Sequence, residues 1–244
     1  MRVRGRRGSS AFRPDGAGNP DRYWENVAGG GPPGATTMWR LAVIRRYRDS
    51  GTAIQPLWTR ESGLDGWHLW LGVGSVIGAQ VGTGVGVATA TGSVEIQIGP
   101  LYTIGFTVDT IGVQQIRGFV NGQPDGSAAV VAYSAGAPNH EVGAISGNPF
   151  AADQLEVYAL LAGDNEWLSN AQMLTLHNQV VDNLEQGRAL TALTAGQIRC
   201  WDGRSCGEIL SPTGLLRWVD EQAADPLTAT SVRPPDLVYR SVRF

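Results

Sequence analysis

A chain of 244 residues with 42% hydrophobic residues can bury a sizeable core as one large all-β domain or two smaller ones. Its 33 glycines and 8 tryptophans favour short strands joined by turns, and its 2 cysteines are too few for a disulfide scaffold or a zinc site of four thiolates. The net charge of −3 hides an asymmetry, because residues 1–48 hold ten arginines against three acids and the remainder nine arginines against nineteen acids.

Residues 1–35 read as an extended arm rich in arginine, glycine and proline, closed by "GGGPPG" at 29–34. Such a composition does not offset its own ordering entropy, so a basic arm on an acidic body asks for a partner. The candidates are nucleic acid, an acidic neighbouring surface and the chain's own body. Arg2, Arg4, Arg6 and Arg7 would make the contact; no aromatics interleave them, so base stacking is not suggested and nucleic acid is the weaker candidate. The charged start lacks an apolar h-region, so no secretory signal is expected, and no run of eighteen apolar residues predicts a membrane span.

From residue 36 to 162 the pattern is strand after strand. "MWRLAVIRRY" alternates, with Trp39, Leu41 and Val43 on one face and Met38, Arg40, Ala42 and Ile44 on the other. "AIQPLWTR" follows, then "GWHLWLGV", which places Trp67, Leu69, Leu71 and Val73 on one face and His68 and Trp70 on the opposite one. Glycines at 72, 74 and 78, with Glu95 beyond, mimic a dinucleotide fingerprint, but the valines and threonines that follow predict strands instead of the required helix. "TGSVEIQIG" and "YTIGFTVD" continue the series, the second with Tyr102, Ile104, Phe106 and Val108 on one face. "GFVNGQPDG" at 118–126 joins two turn signals, so one strand is expected to end near Val120 and its partner to restart near Ser127. "EVGAIS" and "QLEVYALL" complete the count. Period-two strands at this spacing indicate a two-sheet antiparallel sandwich or jelly roll.

One helix is predicted, over 169–186. Ser169 and Gln172 form a capping box, Leu168 and Met173 are placed for a hydrophobic staple, and Met173, Leu176, Val180 and Leu184 share a stripe. Beyond residue 190 lies an irregular extension whose last strand, "LVYRSVRF", is suited to adding to a sheet edge through Tyr239 and Phe244. Whether Cys200 and Cys206 are joined stays open.

The order of "PLWTR…GWHLWLGVG", "GFTVDTIGVQQIRGFVNGQPDG" and "ISGNPFAADQLEVYALLAGDNEWLSNAQMLTLH" resembles the laminin-G-like or concanavalin A-like jelly-roll superfamily over about three-fifths of the chain. In that family an aromatic-valine-Asn-Gly strand end enters a hairpin, matched by Phe119-Val120-Asn121-Gly122, and a Leu-Ser-x-x-Gln helix start is matched by Leu168-Ser169 through Gln172. The resemblance implies an all-β jelly-roll sandwich at 36–190 with one capping helix, between an N-terminal arm and a C-terminal extension. It also implies a non-catalytic module without a resident cofactor, although some relatives bind calcium at the sandwich rim. Asp125, Asn139, Asn148 and Asp153 are the candidate ligands here, as loop oxygens.

The clustered carboxylates of glycosidases on this fold are missing, since Glu95, Asp109, Glu141 and Glu156 stand singly and hydrolysis needs a pair about 5–10 Å apart. Two expectations follow. The first is an assembly protein of the kind found in bacteriophage particles, made in the host cytoplasm, residing in the virion, and contacting itself or other particle proteins through its arms. The second is a lectin-like module whose exposed aromatics stack on sugars, with Trp58, His68 and Trp70 as candidates.

Overall fold

The computed structural model describes residues 36–47, 54–62, 64–135 and 155–186, with the backbone of strands at 22–26, 140–142, 199–201 and 216–220. In chain order the strands are β1 (Arg22–Asn26), β2 (Thr37–Arg46), β3 (Gln55–Ser62), β4 (Asp65–Leu71), β5 (Val76–Gly82), β6 (Val87–Glu95) and β7 (Leu101–Asp109). They continue as β8 (Gln115–Val120), β9 (Gln123–Ala129), β10 (His140–Val142), β11 (Leu155–Asp164), helix α1 (Asn170–Gln186), β12 (Arg199–Trp201) and β13 (Leu216–Asp220). They form two antiparallel sheets, one ordered β13-β1-β10-β3-β4-β5-β6 and the other β12-β11-β2-β7-β8-β9. This is the expected jelly-roll sandwich, and its sheets draw strands from both terminal regions as well. The predicted contacts Arg2, Arg4, Arg6, Arg7, Tyr239 and Phe244 lie outside the described residues, as does Cys206.

The central strand β2 explains the layering. Both of its faces are apolar, so both must be covered. Met38, Ala42 and Ile44 join the core between the sheets, with Ile104, Phe106 and Val108 of β7 beside them. Trp39, Leu41 and Val43 form a second core on the opposite face, closed by Leu168, Met173, Leu176 and Val180. Helix α1 is therefore a third layer over the six-stranded sheet. Its capping box is formed, with Ser169 N donating to Gln172 Oε1 at 2.9 Å and Gln172 N to Ser169 Oγ at 3.3 Å.

Arg40, on the inner face of β2, is 2% exposed. A buried guanidinium costs several kcal/mol unless its donors are occupied. Here Nη1 donates to the carbonyls of Trp39 at 2.8 Å and Gly163 at 2.9 Å, and the cation lies 4.9 Å from the Trp67 ring centre and 5.9 Å from that of Trp58.

The β8–β9 connection is tighter than expected. Asn121 and Gly122 have φ of 49° and 73°, the double positive φ of a type I′ turn, so β9 restarts at Gln123 and not near Ser127. Pro124, Asp125 and Gly126 belong to the strand. Proline is tolerated because β9 is an edge strand, and the pairing register with β8 slips between Arg117 and Phe119. Asp125 then reaches the other sheet. Its Oδ1 accepts from Ser93 N at 2.8 Å and Ser93 Oγ at 3.1 Å, and its Oδ2 accepts from Val94 N at 3.2 Å. Gly92 and Gly126 permit the approach, since a Cβ on either would collide with the Asp125 carboxylate or the Thr91 carbonyl.

The turn tip carries helix α1. A Cβ on Gly122 would lie 2.8 Å from both His177 Cβ and Leu174 Cα. Asn121 N donates to Thr103 O at 2.8 Å, Thr103 N donates to Asn121 Oδ1 at 3.1 Å, and Thr103 Oγ1 is 2.8 Å from His177 Nδ1. Gly74 has a nearly equal φ of 75° with nothing within 4 Å of its virtual Cβ, so it isolates the backbone cost from the packing cost. Gly122→Ala should destabilise by about 2–4 kcal/mol in urea unfolding and Gly74→Ala by about 1 kcal/mol. Equal losses would mean that the helix does not rest on the turn.

Candidate functional site

Strand β4 alternates as its sequence demands. Trp67, Leu69 and Leu71 enter the inter-sheet core, which sends His68 and Trp70 to the outer face of the seven-stranded sheet. Val73 departs from the expected face, because the strand ends at Leu71 and Val73 opens a 3-10 turn with 70% of its surface exposed.

Trp58 departs too. The β3–β4 register slips between Pro56 and Trp58, and this bulge lets Leu57 and Trp58, adjacent in sequence, both enter the core. Trp58 is 0% exposed and packs edge-on to Trp67 with ring centres 5.1 Å apart. It therefore offers no surface to a sugar, contrary to its assignment as a glycan candidate.

Trp70 is half-buried. A Cβ on Gly78, its register partner on β5, would fall inside the indole, so the ring lies directly against the glycine backbone. Gly72 is also close, with its virtual Cβ 3.6 Å from Nε1. The His68 ring lies alongside, 4.6 Å between centres and tilted by 35°. His68 is only 5% exposed, and burial pushes its pKa down from 6.5 to about 3, so the imidazole is neutral at ordinary pH.

Two cross-strand rows complete the face. One runs Thr59, His68, Gln80, Thr89, and the other Pro56, Trp70, Gly78, Thr91. Gln80 Oε1 accepts from Thr89 Oγ1 at 3.3 Å, and Thr91 is exposed. The result is an aromatic pair bordered by hydroxyl and amide groups. Gln80, Thr89 and Thr91 were not singled out in the sequence, because only their cross-strand register brings them beside Trp70.

Three of the described carboxylates, Asp125, Asp109 and Glu156, are otherwise engaged. Asp125, expected in a rim loop, is a buried strand residue committed to Ser93 and Val94. Asn139, Asn148 and Asp153 lie outside the described residues. Among the described residues no three His, Cys, Asp or Glu side chains converge as a metal-binding group. Burial alone would raise the Asp109 carboxyl, but N–H groups of Val113, Gly112 and Ile111 donate to it and hold it below its ordinary value. Glu156, 1% exposed, accepts from Arg45 Nε at 2.6 Å and Tyr158 Oη at 2.8 Å on the helix-covered sheet.

A different surface lies at one end of the sandwich, where turns are tied by backbone hydrogen bonds. Gly84 N donates to Leu64 O, Ser134 N to Gly82 O, Gly66 N to Ser134 O and Val130 N to Gln114 O. These turns carry exposed aliphatic side chains, with Val85 90%, Val131 71% and Ile111 68% exposed.

No protein-family model matches the chain, and no curated protein matches it. Solved structures do share its fold. The native heptameric SAP-like pentraxin from Limulus polyphemus is similar with a TM-score of 0.53 at 12% identity, over 73% of this chain and 84% of that one. The receptor binding domain of botulinum neurotoxin D is similar with a TM-score of 0.54 at 12% identity, over 70% of this chain but only 44% of that one. At such identities the likeness is one of architecture, a jelly-roll sandwich.

The buried imidazole makes stability depend on pH. Below pH 6.5 the unfolded chain takes up a proton at His68 that the folded chain refuses until about pH 3. His68 should thus cost stability as pH falls through that window, at up to about 1.4 kcal/mol per pH unit, and contribute no slope above it. Urea unfolding of wild type and His68→Gln between these limits should show a shallower dependence in the variant. Parallel curves would mean that His68 titrates normally.

Proposed function

We propose that this chain is a non-catalytic recognition module that binds carbohydrate on the outer face of its seven-stranded sheet. The observation that carries the reading is the half-buried Trp70 indole, held against Gly78 and beside His68, with Gln80, Thr89 and Thr91 in register around it. A sugar ring has an apolar C–H face and a polar rim, and an indole edged by hydroxyls and amides complements both. Asp109, Asp125 and Glu156 are already bound to the protein, which supports binding in preference to hydrolysis. Trp70→Ala should weaken glycan binding at least about tenfold, or ~1.4 kcal/mol, in a variant that loses some stability with the packed indole but still unfolds cooperatively in urea. Titration calorimetry against the tightest hit of a glycan array reads the binding, and full retention of affinity would refute the site.

The exposed aliphatic turn end favours a second role, assembly with protein neighbours, as in the particle component expected from the family resemblance. Val85, Ile111 and Val131 stand on backbone-tied turns with most of their surface in solvent. Replacing Val85 and Ile111 by Asp should lower the mass measured by light scattering at high protein concentration. An unchanged mass would remove self-assembly through this end.

A further inference from the structure

We infer that the Trp70 site selects uncharged pyranoses and discriminates against acidic sugars; this rests on the carbohydrate reading above. Three observations carry it. The first is the composition of the face, since Thr59, His68, Gln80 and Thr89 in one row and Pro56, Trp70, Gly78 and Thr91 in the next include no lysine, arginine or carboxylate.

The second is where the described arginine side chains go. Arg40 is buried between the sheets, Arg46 Nη1 donates to Ile96 O at 3.0 Å, and Arg60 is 5% exposed opposite the inward-facing Trp67. Arg45 pairs with Glu156, and Arg117 bonds Gln115 and Asn170, all on the other sheet or its helix. None of these guanidinium groups is stationed on this face to meet a sugar carboxylate. The backbone register continues from Thr59 to Glu141, Glu25 and then Arg217, so a position of basic charge is met only three strands beyond Thr59, after two acidic ones.

The third is the ring chemistry. The indole face is the negative pole of its quadrupole, which attracts C–H bonds and repels anions. A carboxylate brought against Trp70 would lose water without gaining a cationic partner, and an unpaired buried charge is costly. The buried His68 does not alter this, because its neutral ring offers no charge over the pH range in which proteins are ordinarily assayed. Hydroxyls of a neutral pyranose, by contrast, find complementary partners in the Gln80 amide and the Thr91 hydroxyl.

The test is saturation-transfer NMR with the full chain and its Trp70→Ala variant, using lactose, maltotriose and cellotriose as neutral probes and sialyllactose and trigalacturonate as acidic ones. At least one neutral probe should receive saturation at its ring C–H protons, lose it in Trp70→Ala, and bind equally at low and high salt. The acidic probes should bind at least about tenfold more weakly, a margin of ~1.4 kcal/mol. Trp70-dependent binding of an acidic probe with equal or higher affinity would overturn the selectivity and leave the carbohydrate reading standing. No binding of any probe, or binding indifferent to Trp70, would overturn the reading and the selectivity together.

Discussion

The structure turns on the packing of Trp58 and Trp67 around the Arg40 guanidinium between the two sheets. Trp58 meets Trp67 edge-on, and Trp67 lies 5.8 Å from the Phe106 ring centre. These side chains come from β3, β4, β7 and β2, so one cluster fixes the facing of strands in both sheets. Strand side chains alternate, and a slip of one residue would exchange every inside position for an outside one. With Trp67 inside, His68 and Trp70 have no alternative to the outer face. The surface proposed to bind sugar is thus a consequence of the core.

Glycine is the second constraint, used where two surfaces must touch without a side chain between them. Gly78 lets the Trp70 indole lie on the sheet, Gly122 lets helix α1 rest on the β8–β9 turn, and Gly92 and Gly126 let β6 and β9 meet at the seam held by Asp125. Edge strands ordinarily expose unpaired backbone groups. Here Asp125 occupies the N–H groups of Ser93 and Val94 and joins the open edges of the two sheets.

Much of this architecture can be read from the residues. The alternation in β2, β4 and β7, the capping box at Ser169 and the apolar stripe of α1 rest on local periodicity, and the structure follows them. Departures occur where backbone irregularity overrides period two. The bulge after Pro56 carries Trp58 into the core, although counting from its neighbours leaves it on the surface. Pro124-Asp125-Gly126 has turn chemistry, yet the preceding Asn-Gly turn has already reversed the chain and the edge position tolerates the proline. His68 was legible as an outward residue but not as a buried neutral one, because its depressed pKa arises from packing that no linear pattern encodes. The polar neighbours of Trp70 were hidden for a related reason, since Gln80, Thr89 and Thr91 reach it only through strand register.

The carbohydrate reading requires that Trp70 touch ligand while the core tryptophans do not. The chain carries 8 tryptophans, of which Trp39, Trp58 and Trp67 are fully buried. Fluorine NMR of 5-fluorotryptophan-labelled protein would separate them, with the Trp70 resonance assigned by its loss in Trp70→Phe. On titration with a neutral oligosaccharide that resonance should move and those of Trp39, Trp58 and Trp67 should stay. A ligand that binds while the Trp70 resonance remains fixed would contradict the account.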